Sequence, residues 1–203
     1  MSGTFPIATA KFETMGFSSK QNTISSKSIN GKHLSRVVDN QRFGFTARVI
    51  VGKRSDIYGE LMAFIIKQRS GKESFDIVPP DISSAKGNVS GTVLVNGTFA
   101  AGVTSVNVDA MTGTLKAGDL IKFASHTKIY MVVADSTADG SNEATLTIEP
   151  PLQSSISDDS VVTFDNVSFK VHLENDIQEF GVVGADKDGN ALYQFEFDVE
   201  EAL

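Results

Sequence analysis

Two stretches near the end of the chain alternate residue by residue between apolar and polar side chains. Val167-Ser-Phe169-Lys-Val171-His-Leu173 does so, and so does Tyr193-Gln-Phe195-Glu-Phe197-Asp-Val199-Glu. Successive side chains of an extended backbone point to opposite faces, so a period of two describes strands with one dry and one wet face. The same logic places Phe43, Phe45, Ala47, Val49 and Val51 on one face of a strand from Arg42 to Val51, with Arg42, Thr46 and Arg48 on the other. Thr23 to Ile29 and Lys32 to Val38 flank Asn30-Gly31, a dipeptide suited to the two centres of a type I′ hairpin turn. Ile177 to Val183 adds a strand, and Asp186 to Asn190 reads as the hairpin loop before the terminal one.

One segment breaks this pattern. From Ser55 to Arg69, Ile57, Leu61, Phe64, Ile65 and Gln68 follow a period of 3.6, which predicts a helix. Ser55 or Asp56 is its expected cap, Lys67 and Arg69 suit its last turn, and Gly71 supplies a left-handed stop. Phe75 and Ile77 begin another strand. Pro79-Pro80 ends it, because two prolines remove two ladder donors.

The composition changes after Pro80. From Asp81 to about Phe164 the chain is rich in Gly, Ser, Thr and Val. Short strands are expected at Gly91 to Val95, Thr104 to Asp109, Asp119 to Ala124, Lys128 to Asp135, Ala144 to Glu149 and Val161 to Phe164. Asp135 to Asn142 reads as a mobile loop. Closely spaced short strands suit a small closed barrel or Greek key. Either one long β-sandwich or a sandwich interrupted by a barrel fits the order of elements. The second is preferred, since the Pro-Pro break and the change of composition coincide. The expected fold is mainly β with one helix: a β-sandwich from residues 1–80 plus 167–203, and an inserted barrel from residues 81–166.

Charge follows these divisions. Residues 1–80 sum to +6, residues 81–173 to −5 and residues 174–203 to −8, for a total of −7 over 203 residues. The acids of the last segment sit on an alternating strand. They predict a terminal strand that pairs with the basic first segment, in the same chain or a neighbour; the alternative is a merely solvated face. A net negative chain without a clustered basic groove argues against a nucleic-acid platform. Phe43, Phe45, Phe195 and Phe197 are therefore expected in the core.

The sequence offers little chemistry. There is no cysteine, which excludes disulfides and thiolate sites and fits a reducing compartment. Gly71-Lys72 is followed by Glu73, so no phosphate loop forms there, and no Gly-x-Ser-x-Gly elbow occurs. His33, His126 and His172 are far apart, with His172 on the outer face of its strand. Asp186-Lys-Asp188-Gly-Asn190 has oxygens at alternate positions, like a calcium loop, but Ala191 and Phe197 stand where that loop needs glycine and glutamate. It reads as a hairpin turn, and Asp139 to Glu143 as a solvated one. No apolar run reaches the roughly 18 residues of a bilayer span, and the segment up to Lys11 has no basic-then-apolar export pattern. The expectation is of no enzyme, no catalytic residue, no metal, no cofactor and no membrane insertion.

One motif is more specific. Leu115-Lys116-Ala117-Gly118-Asp119 is followed by a short apolar strand and then by His126-Thr-Lys128-Ile-Tyr130. This resembles the distal tail protein family of long-tailed, non-contractile bacteriophages (siphophages), in its short form with an inserted barrel. The resemblance implies that these eight residues are fold residues of the barrel, a tight turn and the start of a strand. It also implies a barrel of the oligosaccharide/oligonucleotide-binding (OB) type. It further implies a structural virion protein, assembled in the host cytoplasm as a ring homo-oligomer, a hexamer in this family. The ring lies at the tail's distal tip, between the tail tube protein and the baseplate hub or tail tip protein, and DNA passes through it without specific binding. The opposed charges of the terminal segments would suit contacts between ring neighbours. An alternative from another class is a host-surface carbohydrate-binding module at the tail tip, for which Tyr130 is the insert's only tyrosine. A cell-wall hydrolase has only the surplus of acids in its favour.

Overall fold

The computed structural model describes residues 3–6, 11–38 and 40–203. Its chain divides into two compact units. One runs up to Ile77 and resumes at Lys170–Ala202, and the other is Val78–Phe169. The described residues are mainly β with one α-helix, in a sandwich-type unit and a barrel-like one.

The first unit begins with β1 (Phe12–Lys20), β2 (Thr23–Lys27), β3 (His33–Val37), β4 (Arg42–Val49) and β5 (Gly52–Lys53). A π-helical turn, Arg54–Tyr58, leads into α1 (Gly59–Lys67), and β6 (Phe75–Ile77) follows. After the second unit come β15 (Phe169–Leu173), β16 (Phe180–Ala185) and β17 (Ala191–Glu201). The main sheet runs β1-β4-β17-β15-β6, while β5 and β16 pair with the first part of the long β17. This shared strand is the one whose alternation is most regular, and Phe195, Phe197 and Val199 are its buried apolar residues. Phe43, Phe45, Ala47 and Val49 bury from β4 beside them, so all four platform phenylalanines are core. Leu61 and Ile65 bury from α1, and Phe64 meets Phe75 edge-on at 5.3 Å.

The acidic terminal strand does return to the basic first segment, within one chain. β17 pairs antiparallel with β4, Glu196 opposite Arg48, Asp198 opposite Thr46 and Glu200 opposite Gly44. Glu200 takes Lys20 at 3.1 Å and Arg42 at 3.4 Å, while Lys20 also reaches Glu174 at 3.0 Å. Lys20, Arg42 and Arg48 of the first segment thus find acidic partners of the last segment in the same chain.

Several local expectations are corrected. The hairpin between β2 and β3 has no two-residue turn centred on Asn30-Gly31. Gly31 N–H bonds Ser28 carbonyl oxygen at 2.9 Å and only Gly31 of the pair has positive φ, at 77°. The loop is a residue longer, ending in a left-handed glycine, and Ile29 is exposed at its tip. β4 stops at Val49, so Val51 is exposed instead of continuing the dry face. Neither Ser55 nor Asp56 caps the helix. They bond each other at 2.8 Å within the π-helical turn, and no side chain caps α1. The left-handed stop falls on Arg69 and Ser70, with φ of 53° and 58°, and Gly71 serves differently. A Cβ there would stand 2.6 Å from Leu173 carbonyl oxygen, so glycine is needed for the close approach of two backbones.

The second unit holds β7 (Leu94–Val95), β8 (Ser105–Asp109), β9 (Thr114–Leu115), β10 (Leu120–Phe123), β11 (Ile129–Val132), β12 (Ser136–Thr137), β13 (Ala144–Glu149) and β14 (Val162–Thr163). Six of them form one sheet in the order β14-β10-β11-β13-β8-β7. Its two edges meet where Val95 N–H bonds Ser160 carbonyl oxygen and Val162 N–H bonds Val93 carbonyl oxygen, both at 2.9 Å, so the barrel is nearly closed. Val106, Val108, Leu115, Ile121, Phe123, Tyr130, Leu146 and Ile148 pack inside. The stretch expected as a mobile loop contains β12, which pairs with β9, and Ser136 Oγ–H bonds Thr145 carbonyl oxygen at 2.9 Å. Such two-residue strands leave no alternation to read.

Candidate functional site

The motif residues fall into two groups at opposite ends of the β10–β11 hairpin. At one end, Lys116-Ala117-Gly118-Asp119 makes a turn in which Asp119 N–H bonds Lys116 carbonyl oxygen at 3.0 Å. Gly118 takes φ of 99° there, and its N–H bonds Val132 carbonyl oxygen at 2.8 Å. Asp119 is buried, and its carboxylate accepts the Lys116 N–H at 2.7 Å and the Lys86 N–H at 2.8 Å. One side chain therefore closes the turn and ties down the segment leading into the barrel. Asp135 supports the same turn from outside, accepting the Ala117 N–H at 2.9 Å and the Lys116 ammonium at 2.7 Å. The Lys116 hydrogen bond, helped by the Ala117 amide, holds the Asp135 carboxyl below its ordinary range. Leu115 is wholly buried just before the turn.

At the other end, His126 Nδ1 lies 2.7 Å from Tyr130 Oη, and its Nε2 lies 2.8 Å from Ser154 Oγ. Tyr130 Oη also accepts the Gln153 N–H at 3.1 Å. Burial pushes the His126 imidazole pKa below its ordinary value, against a smaller opposing effect of a bond to the Ser155 backbone. His126, Lys128 and Tyr130 are all buried, Tyr130 completely. The chain Ser154–His126–Tyr130–Gln153 fastens the segment after β13 to the tip of the β10–β11 hairpin. The reading of Tyr130 as a sugar-stacking platform is corrected here, because no face of its ring meets solvent.

Lys86, Asp135, Gln153 and Ser154 were not singled out in the sequence. Lys86 lies 33 residues from Asp119 and contributes a backbone N–H, a group that every residue but proline has. No side-chain pattern could have marked it.

The remaining candidates are turns. Asp186 Oδ1 accepts the N–H groups of Asp188 at 2.8 Å and Asn190 at 2.9 Å, and its other oxygen meets the Lys53 ammonium. Asp139 Oδ1 likewise accepts the N–H groups of Ser141 and Glu143, at 2.8 and 3.0 Å. Among the described residues, no group of three or more His, Asp or Glu is arranged to hold a metal ion. Two open concavities of about 330 and 350 Å³ lie at Lys53, Asp56 and Tyr193, and at Asn96, Asn107 and Glu143; polar groups line most of each. Among the described residues, no helix is long and apolar enough to cross a membrane.

Lys116, Asp119, His126 and Tyr130 thus bind backbone, neighbouring side chains and one another, which defines the class of the chain as a two-unit β-rich protein with its polar motif built into the second unit. Residues 82–167 match the family model of distal tail protein pb9, B domain, a span that covers almost all of the second unit. The second unit is thus similar to the B domain of a phage distal tail protein. No curated protein matches the chain.

Proposed function

We propose that the chain builds a ring, of six copies, at the distal end of the tail tube. The ring joins the tube to the baseplate hub or tip and leaves a central channel for DNA. The observation that carries this reading is the B-domain match over residues 82–167. In this reading the first unit forms the ring. The eight residues from Leu115 to Tyr130 serve as framework of the inserted barrel, with no catalytic or cofactor role.

The charge of the chain suits the channel. Six copies carry −42 formally. A wall of that sign lets DNA slide, because phosphates find no cations to exchange for their counterions. The ring would assemble in the host cytoplasm, with the tail tube protein on one side and the hub on the other.

Immunogold labelling of intact virions tests the location. Gold at the junction of tube and tip is expected, and gold at the head, along the tube or absent from particles overturns the reading.

A further inference from the structure

The ladder of β1 and β4 does not stop at the sheet. Lys20 pairs with Arg42 at its end, and beyond them Val38 N–H bonds Asn22 carbonyl oxygen at 2.9 Å, leading into the β2–β3 hairpin. Among the described residues, β2 and β3 pair only with each other, and every residue of both is exposed. From Asn22 to the tip this arm extends about 26 Å at the usual strand rise. It carries a large apolar load for a solvated hairpin: Ile24 is 65% exposed, Leu34 53%, and Val37, Val38 and Ile29 are exposed as well. Its charge is of one sign. Lys27, Lys32 and Arg36 lie between Gln21 and Val38, and no acid does. A two-stranded ribbon with both faces wet is only marginally stable alone.

A second uncovered feature lies on the same unit. β16 has β17 as its one strand neighbour among the described residues, so its other edge offers unpaired N–H and C=O groups. Val182 is 61% exposed and Val183 53%. Edges of this kind are usually guarded by lysine or proline. Phe180-Gly-Val-Val-Gly-Ala185 has neither, only a bulge at Val183. The flanking charge is opposite to that of the arm: Asp176, Glu179, Asp186 and Asp188 against Lys187, with Asp186 shared with Lys53.

We infer that the β2–β3 arm of one copy docks along the β16 edge of a second copy. The β3 strand extends the neighbour's sheet, with Lys32 and Arg36 toward Asp176 and Glu179. Backbone pairing supplies the affinity, the exposed valines and leucine lose water, and the charges select the partner. Arm and edge are different surfaces of one protomer, so each copy gives one and receives one. Such a contact is heterologous and closes rings. The inference rests on the ring proposed above and names the contact that builds it.

Charge exchange on the full-length chain tests it, read by native mass spectrometry with circular dichroism as a folding control. Lys32→Glu with Arg36→Glu should weaken assembly at least tenfold in protein concentration, and so should Asp176→Lys with Glu179→Lys. All four changes together should restore assembly. Rings that persist in both pairs of variants overturn the contact while leaving the ring itself standing. Weakened assembly without restoration also overturns it, as does an arm whose amides remain unprotected from hydrogen exchange in the ring, which would assign it to another tail protein. A wild-type chain that never associates overturns both this contact and the ring.

Discussion

Arg48 and Glu196 stand opposite each other across the β4–β17 ladder, and both Nε and Nη2 of Arg48 donate to Glu196 Oε2, at 2.9 and 2.7 Å. The pair joins the basic first segment to the acidic last one across 148 residues of sequence. The barrel-like unit intervenes in the chain between them.

Being exposed, this pair should contribute register more than stability. Arg48→Ala is expected to lower the melting temperature of the first unit by no more than about 2 °C, in differential scanning calorimetry at low salt. The difference should shrink in about 0.5 M salt, where charges are screened within a few ångströms.

Asp119 should matter far more. Asp119→Ala leaves the Lys86 and Lys116 N–H groups without their carboxylate, and hydrogen bonds to charged groups contribute about 1.5–3 kcal/mol each. The second unit should lose about 2–4 kcal/mol in urea unfolding. Amide exchange should quicken first around Lys86.

Gly71→Ala tests the close approach of the turn after α1 to β15. The added methyl carbon would meet Leu173 carbonyl oxygen at 2.6 Å, against backbone that cannot swing aside. A loss of about 1–3 kcal/mol in the first unit is expected. Gly140→Ala, where the added carbon meets nothing within 4 Å, should be nearly neutral.

His126 predicts the response of the second unit to acid. Its folded pKa lies below the ordinary 6.5 because burial disfavours the imidazolium. The unfolded chain therefore binds a proton first. Stability is at its full value above 6.5 and falls as pH drops below that value toward the folded pKa, where the loss levels off. Thermal unfolding between pH 7 and 5 should show this slope, and His126→Gln should flatten it. Asp135, Asp139 and Asp186 have depressed pKa values, so their losses begin only near the ordinary carboxylate range.

What could be read from the sequence was whatever repeats locally. The alternation of Phe195, Phe197 and Val199, the helical spacing of Leu61, Phe64 and Ile65, and the short strands of the insert are encoded in neighbouring residues. The turn at Lys116 to Asp119 is equally local. What escaped depends on distant backbone: the Lys86 amide on Asp119, the Leu173 carbonyl facing Gly71, and the pairing of β9 with β12. The hairpin at Asn30-Gly31 misled because one left-handed residue, not two, suffices when the loop is a residue longer. Tyr130 left two readings open, a fold residue or an exposed platform. A tyrosine on a barrel strand can face out or in, and its hydroxyl finds His126 and Gln153 inside.

The central claim is that copies of this chain assemble with one another around a channel. Electron microscopy of the purified full-length protein, at tens of micromolar, addresses that most directly. Class averages with a six-fold ring and an open centre are the predicted result. Fields of single-chain particles at every concentration would contradict it.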